Sequence, residues 1–447
     1  MILELVKWVM LMEKAILVGV NLNDGEDYLL SLEELGALAQ ACDMEVVGEV
    51  EQTLPAVHKA FYIGTGKVDE VKELAEDCDA DVIIFDNSLS PMQLRNLQER
   101  LDKPILDRST LILDIFAEHA RSREAKLQVE VARLQYMLPR LVGLHAALSR
   151  QGGGSGSLSN RGAGETKLEL DRRVLERRLT ELRRELKDLG AERMTQRKRR
   201  AGSGIPRVAL VGYTNAGKST MMNAMLDLYG SDEIDVEEKK VMEKDMLFAT
   251  LDTTVRKIEP ENHHAFLLSD TVGFIHKLPH NLVEAFHSTL EEAKEADILL
   301  QVVDYSDPHY REQIAVTNRT LKELGADNIP MLYVYNKADL VSPDDIPGLA
   351  GMTPERVREH LPIMTENSIY LSAKERIGME ELIRLIEKKL SGGYRECTLL
   401  IPYSNGRAVS YLNENAVVYE TEYLEEGVKL RVNCREKDYR YYEKYLL

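Results

Sequence analysis

The 447-residue sequence predicts an α/β protein built from a small N-terminal α/β domain with an antiparallel helical hairpin, a central doubly wound domain and a small C-terminal α/β appendage. Three observations carry this. Short apolar runs alternate with helical patterns over residues 1–120 and again over 206–392. Two stretches between them repeat apolar residues at steps of four and three. Beyond residue 395 the β-favouring segments AVVYETEY and KLRVN take over.

In the first domain, AILVGV (15–20), MEVVGEV (44–50) and DVIIF (81–85) read as strands of a parallel sheet. SLEELGALAQAC (31–42) and KVDEVKELAEDC (67–78) read as helices, with Ser31 and Glu34 as a capping box for the first. GTGK (64–67) reads as a glycine turn opening the next helix rather than a second nucleotide site. The hairpin, over 121–200, has one seam at Leu127, Val131, Leu134, Leu138 and Leu141 and another at Leu175, Leu179, Leu182, Leu186 and Leu189. QGGGSGSLSNRGAG (151–164) forms its tip, and Pro139 predicts a kink or an early end of the first helix. RKRRAGSGIP (197–206) reads as a linker. The central domain spans 206–392, ending with a helix over 379–390, and the appendage spans 395–447.

Composition excludes several classes. With 44% hydrophobic and 30% charged residues the chain is neither disordered nor fibrous. Cys42, Cys78, Cys397 and Cys434 form no CxxC pair, so buried free thiols in a reducing compartment are expected. The opening MILELVKWVMLM is shorter than the roughly 20 residues of a membrane span and carries Glu4 and Lys7. Together these predict a cytoplasmic protein without a membrane span, and nothing requires more than a monomer. The net charge of −18 argues against a phosphate-coated surface overall. Residues 160–200 reverse that trend with 14 Lys or Arg against 8 Asp or Glu.

The central domain carries the chemistry. Gly212, Tyr213, Thr214, Asn215, Ala216, Gly217, Lys218, Ser219 and Thr220 match GxxxxGK[ST] between a strand and a helix. Backbone N–H groups there can cradle phosphates, Lys218 can reach the β and γ phosphates, and Ser219 can ligate Mg²⁺. Asp270, Thr271, Val272 and Gly273 close another strand, where the carboxylate can serve the Mg²⁺ shell and the Gly273 N–H can meet the γ-phosphate. A plain turn is the competing explanation for that tetrapeptide alone. Asn336, Lys337, Ala338 and Asp339 end a third strand, and Ser372, Ala373 and Lys374 follow a fourth.

Phe248, Ala249, Thr250, Leu251 and Asp252 fall where a nucleotide-responsive loop must lie. Thr250 is the candidate Mg²⁺ ligand, with Thr253 and Thr254 as competitors. Lys218, Thr250 and Gly273 are the expected catalytic set. Phe274 stands where Ras-like enzymes place a water-orienting glutamine, which predicts slow unaided hydrolysis. His263 and His264 sit in a strand pattern that offers a general base little reach.

These motifs resemble those of GTPases, in which the NKxD aspartate accepts hydrogen bonds from the guanine N1 and amine and the SAK loop contacts O6. With YIGTGKVDEV (62–71), the run 89–141, GAGETKLELDRR (162–173), FATLDTT and DTVGF, the chain resembles the HflX family of ribosome-associated GTPases from about residue 14 to 395. That resemblance implies GTP/GDP and Mg²⁺ as ligands and binding to the large ribosomal subunit. It also implies GTP-dependent separation of ribosomal subunits, often linked to stress, with activation by the ribosome. The tip is longer than the family's compact form.

Physical chemistry supports an RNA partner separately. Arg172, Arg173, Arg177, Arg178, Arg183 and Arg184 recur in pairs on the second hairpin helix and would release counterions from phosphate. A solvated helix face is the bland alternative. Two further function classes are a switch that docks a protein through its hairpin and an ATP-driven RNA remodeller. NKAD argues against the latter.

Overall fold

The computed structural model describes residues 12–23, 28–151, 172–190, 205–230, 248, 254–261, 263–277, 287–390 and 394–447. The chain clusters into two compact units, each described by itself below.

The first unit is built on β1 (Glu13–Asn21), β2 (Met44–Thr53), β3 (Val82–Phe85) and β4 (Ile105–Asp107), all parallel and ordered β2-β1-β3-β4. The apolar run in β1 is central, with Ala15, Ile16 and Leu17 fully buried, as an inner parallel strand requires. Helices α1 (Tyr28–Ala41), α2 (Thr65–Asp77) and α3 (Pro91–Leu101) make the crossovers, and α4 (Arg108–His119) follows the last strand. Gly64 is the N-cap of α2, so GTGK is the expected helix start.

The first helix corrects one expectation. It begins at Tyr28, which places Ser31 and Glu34 inside it, and both side chains turn to the sheet edge. Ser31 Oγ donates to Asp86 Oδ2 at 2.8 Å and Glu34 accepts from Arg108 at 2.6 Å. The capping box lies instead at Ser90 and Gln93, an S-x-x-Q signal in the sequence. Arg108 is 1% exposed and also pairs with Asp86 at 2.8 Å.

Lys277 Nζ donates to Asp86 Oδ2 at 2.6 Å, and Arg108 Nη1 donates to the His276 carbonyl at 3.1 Å. The ring of Phe248 meets that of Phe116 edge-on at 4.5 Å. Phe248, His276 and Lys277 therefore belong to this unit, although the sequence places them amid the central domain's motifs. Burial pushes the Asp86 carboxyl up, but Arg108 and Lys277 outweigh it and hold the group below its ordinary value.

The hairpin consists of α5 (Arg123–Gln151) and α6, a helix over 172–190. Leu127 and Val131 pack with Leu179 and Leu182. Cross-helix pairs run Arg123 to Glu185 and Glu130 to Arg178, so the register rises on one helix as it falls on the other, which makes the pair antiparallel. Of the two outcomes expected at Pro139, an early end does not occur: α5 continues through it. Arg140, the next residue, bonds back to the Tyr136 carbonyl at 3.1 Å and out to the Leu89 carbonyl at 3.1 Å and Asp107 Oδ2 at 2.7 Å. The Gly-rich tip and the linker up to residue 204 lie outside the described residues.

The second unit holds β5 (Arg207–Gly212), β6 (Thr254–Ile258), β7 (Phe266–Asp270), β8 (Ile298–Asp304), β9 (Met331–Asn336), β10 (Ile363–Met364) and β11 (Ser368–Tyr370). Their order is β10-β11-β9-β8-β5-β7-β6, parallel except for the two antiparallel edges. Helices α7 (Lys218–Tyr229), α8 (His287–Lys294), α9 (Tyr310–Glu323), α10 (Pro354–His360) and α11 (Met379–Leu390) accompany the sheet. Ligands in such sheets bind beyond the carboxyl ends of the strands, where the strand order reverses. That point lies at β5, between β7 and β8.

The same unit ends in a three-stranded antiparallel sheet ordered β12-β14-β13, from β12 (Tyr394–Ile401), β13 (Val417–Leu424) and β14 (Gly427–Arg435), with α12 (Gly406–Asn415) and α13 (Glu436–Tyr442). The appendage is thus α/β. Two cysteines meet the burial expectation and two only partly. Cys397 and Cys434 are buried thiols with sulfurs 3.9 Å apart, whereas Cys42 and Cys78 are half-buried. Among the described residues no helix is long and apolar enough to cross a membrane.

Candidate nucleotide-binding site

Four of the sequence motifs follow the carboxyl ends of β5, β7, β9 and β11, and the sheet order brings them to one edge. Residues 212–217 loop from β5 into α7, whose N-cap is Gly217 in a left-handed conformation (φ 91°). A Cβ there would fall 2.2 Å from Asn336 Nδ2, so the chain needs glycine on two counts. Tyr213, Thr214 and Ala216 are buried, Asn215 is exposed and Thr220 half-buried. Thr214 Oγ1 is a buried hydroxyl without a hydrogen-bond partner, the kind of orphan that a ligand oxygen would satisfy.

Lys218 is buried at the start of α7, and its ammonium donates to the carbonyls of Gly212 at 3.0 Å and Tyr213 at 2.6 Å. Burial pushes it down to about 8, opposed by the charge of Asp270. Ser219 Oγ donates to Asp270 Oδ2 at 2.9 Å. A hydroxyl and a carboxylate together beside the phosphate loop are hard oxygen donors that suit Mg²⁺. They are few, so phosphate and water oxygens would complete the ligand set.

The segment after β7 is laced to the loop. Phe274 N–H donates to the Gly212 carbonyl at 3.1 Å, and Thr214 N–H donates to the Phe274 carbonyl at 2.9 Å. Thr271 Oγ1 anchors the turn on the Leu210 carbonyl at 2.7 Å, and Val272 is buried. A Cβ at Gly273 would stand 2.9 Å from Thr214 Cα and 3.1 Å from Lys218 Nζ, so only glycine passes this close. The Phe274 ring is 1% exposed and committed to packing; its side chain offers nothing to orient a water.

Asn336 ties the loops together. Its Nδ2 donates to the Ala216 carbonyl at 3.0 Å while its Oδ1 accepts from Ala373 N–H at 2.9 Å. Lys337 takes a left-handed conformation and pairs with Asp304 at 2.6 Å, a carboxylate closing β8 that belongs to none of the motifs. Ala338 N–H donates to the Leu371 carbonyl at 3.1 Å. Asp339 has a side chain only 6% exposed and faces Arg358 at 3.7 Å. Ser372 Oγ accepts from Glu375 N–H at 3.4 Å, and Lys374 is exposed. Arg358 carries no sequence signal, since it reaches this edge from α10, outside every motif.

Other candidates are placed elsewhere. Phe248 lies in the first unit, and Ala249, Thr250, Leu251, Asp252 and Thr253 lie outside the described residues. Thr254 is the first residue of β6, paired with Asp270. His263 Nδ1 is bonded to Glu387 at 2.6 Å. On α6 all six arginines, Arg172, Arg173, Arg177, Arg178, Arg183 and Arg184, are exposed; Arg178 pairs with Glu130 at 2.9 Å across the hairpin and Arg172 with Glu176 at 2.8 Å within the helix.

Comparisons with known proteins identify the family. Family models described as GTP-binding GTPase N-terminal, GTP-binding GTPase Middle Region, 50S ribosome-binding GTPase and HflX C-terminal domain match residues 30–117, 119–200, 207–337 and 361–446. The last carries the family resemblance beyond residue 395, where the sequence motifs end. The GTPase HflX of Caldanaerobacter subterraneus is 45% identical over 429 residues, covering 95% of this chain and 92% of that protein. The GTPase HflX of Escherichia coli K12 is 38% identical over 430 residues, covering 96% and 95%. A solved GTP-binding protein from the archaeon Sulfolobus solfataricus in complex with GDP is 26% identical, with TM-score 0.41, covering 85% of this chain and 99% of that one.

Proposed function

Because the chain belongs to the HflX family of GTPases, we propose that it hydrolyses GTP slowly by itself and faster on the large ribosomal subunit, where its GTP-bound form separates ribosomal subunits under stress. The observation that carries the nucleotide reading is the Asn336 side chain, which joins the phosphate loop at Ala216 to the base-side loop at Ala373. One residue thereby fixes the distance between the two ends of a bound nucleotide.

In this reading the N–H groups of 212–218 and the α7 N-terminus receive the phosphates. Lys218 holds charge on the β and γ groups, and Gly273 N–H meets the γ-phosphate. Ser219, Asp270 and Thr250 would hold Mg²⁺, which supplies charge neutralisation to the phosphates when bound. Asn336, Lys337, Ala338 and Asp339, with Ser372, Ala373 and Lys374, enclose the base. Asp339 selects guanine because adenine has no N–H donors at the matching positions and would leave a buried carboxylate unpaired.

The buried Phe274 ring supports a slow intrinsic rate, since the attacking water must be ordered by backbone groups or by a partner. We assign the functional pieces to residues 1–120, 121–200, 206–392 and 395–447. The exposed arginines of α6, Arg172, Arg173, Arg177, Arg178, Arg183 and Arg184, face RNA phosphate, and Arg178 also links the two hairpin helices through Glu130. An RNA partner is favoured over a coiled-coil protein partner because the apolar seam of the hairpin is already filled by its own two helices.

The test is phosphate release from GTP with and without purified large subunits, alongside sedimentation of intact ribosomes with a non-hydrolysable GTP analogue. Stimulation and subunit release are expected. Their joint absence overturns the ribosomal part.

A further inference from the structure

Arg358 lies outside the nucleotide motifs, yet its guanidinium stands between the two loops assigned to the base. Its Nη2 is 3.7 Å from Asp339 Oδ2 and 3.9 Å from Glu375 Oε1. Asp339 closes the NKAD segment, and Glu375 directly follows Ser372, Ala373 and Lys374. The two carboxylates thus come from two different loops of the proposed base site and share one cation.

Their surroundings differ in a way that assigns roles. The Asp339 side chain is 6% exposed and that of Arg358 is 54% exposed. A carboxylate so far removed from water is costly unless compensated. Among the described residues Arg358 is its one ion-pair partner. At 3.7 Å the guanidinium is beyond hydrogen-bond reach, so it faces Asp339 as a charge while leaving the oxygen lone pairs open to other donors.

The origin of the arginine is fixed as well. Val357, its neighbour on α10, is 1% exposed and packs in a small core with Tyr305, Ala338, Ile346 and Leu361. Ala338 is the residue before Asp339. One apolar cluster therefore sets where both charged side chains begin.

We infer that Arg358 is a positioning residue for guanine recognition: it faces the buried Asp339 carboxylate and keeps it aimed, and it ties the NKAD loop to the loop at 372–375. This rests on the reading of Asp339 proposed above. Being exposed, the guanidinium acts weakly and is screened by salt.

The test measures binding of a fluorescent GDP analogue to the full chain. Arg358→Ala is expected to raise Kd about two- to fivefold at low salt. The loss should shrink at about 0.5 M salt, and Arg358→Lys should recover part of it. Asp339→Asn is expected to shift preference toward xanthosine diphosphate, whose C2 carbonyl can accept from the asparagine amide. In that background, adding Arg358→Ala should leave xanthosine diphosphate affinity unchanged, because the charge it served is gone. Unaltered GDP affinity in Arg358→Ala, an equal loss at both salts, or an equal loss in both backgrounds overturns the inference. If Asp339→Asn alone leaves guanine preference intact, the reading of Asp339 fails first; a discriminating Asp339→Asn beside a silent Arg358→Ala removes Arg358 only.

Discussion

Replacing Asn336 with alanine tests whether one side chain sets the span of the nucleotide site. Asn336 is 3% exposed and makes two hydrogen bonds, at 3.0 Å to the Ala216 carbonyl and at 2.9 Å from Ala373 N–H. Truncation strands a buried donor and a buried acceptor, each costing about 1–3 kcal/mol. Water entering the space left by the amide would recover part, so a total of roughly 2–4 kcal/mol is expected. If the loops spread in the free protein and must be regathered by the ligand, this appears as a roughly 30- to 1,000-fold rise in the Kd for GDP.

Calorimetric titration with GDP, paired with urea unfolding of the free protein, separates the cost in binding from the cost in folding. Asn336→Asp sharpens the test, since a carboxylate keeps the acceptor for Ala373 but opposes the Ala216 carbonyl; it should bind no better than the alanine variant. GDP binding by Asn336→Ala within threefold of the parent, with an unchanged unfolding midpoint, would refute the bridging role.

Three further outcomes are expected. Gly273→Ala forces a methyl to within 2.9 Å of Thr214 Cα and 3.1 Å of Lys218 Nζ; single-turnover GTP cleavage should fall by about tenfold or more, and a normal rate would mean the turn yields freely. Asp86→Asn removes a carboxylate whose folded value lies below its ordinary 3.8. The stabilisation it gives is present above that pH and lost as pH falls through the folded value, so the stability gap of about 3 kcal/mol at pH 7 should narrow below about pH 4 in urea unfolding; a gap that is flat with pH contradicts the ion-pair account. Arg177→Glu with Arg184→Glu should flatten the salt dependence of large-subunit binding, the slope falling by about one for every phosphate these two side chains neutralise. An unaltered slope places the RNA-binding surface elsewhere.

The parallel sheets were legible because inner strands must be apolar on both faces, and AILVGV or ILLQVV leave little alternative. The phosphate and base loops were legible because their glycines and polar residues are demanded by close backbone approach. What escaped the sequence depends on distant partners. Ser31 and Glu34 fit a cap by spacing, and only the buried Arg108 and Asp86 explain why they serve the sheet edge instead. Pro139 should interrupt a helix in isolation, but the next residue, Arg140, ties the helix there to the Tyr136 and Leu89 carbonyls and to Asp107. Arg358 had no signal because a surface arginine four residues past a proline looks like any other.

The composition of the first unit also dictates an order of events during synthesis. Asp86 is separated by 191 residues from Lys277, and Arg108 by 168 from His276. At about 5–20 residues per second the sheet edge waits roughly 10–40 s for its second cation. Arg108 is made within 22 residues of Asp86, so that carboxylate has one partner almost at once. The N-terminal sheet must then persist as an unfinished piece until well over half of the polypeptide exists, its final charge partner supplied by a segment not yet translated.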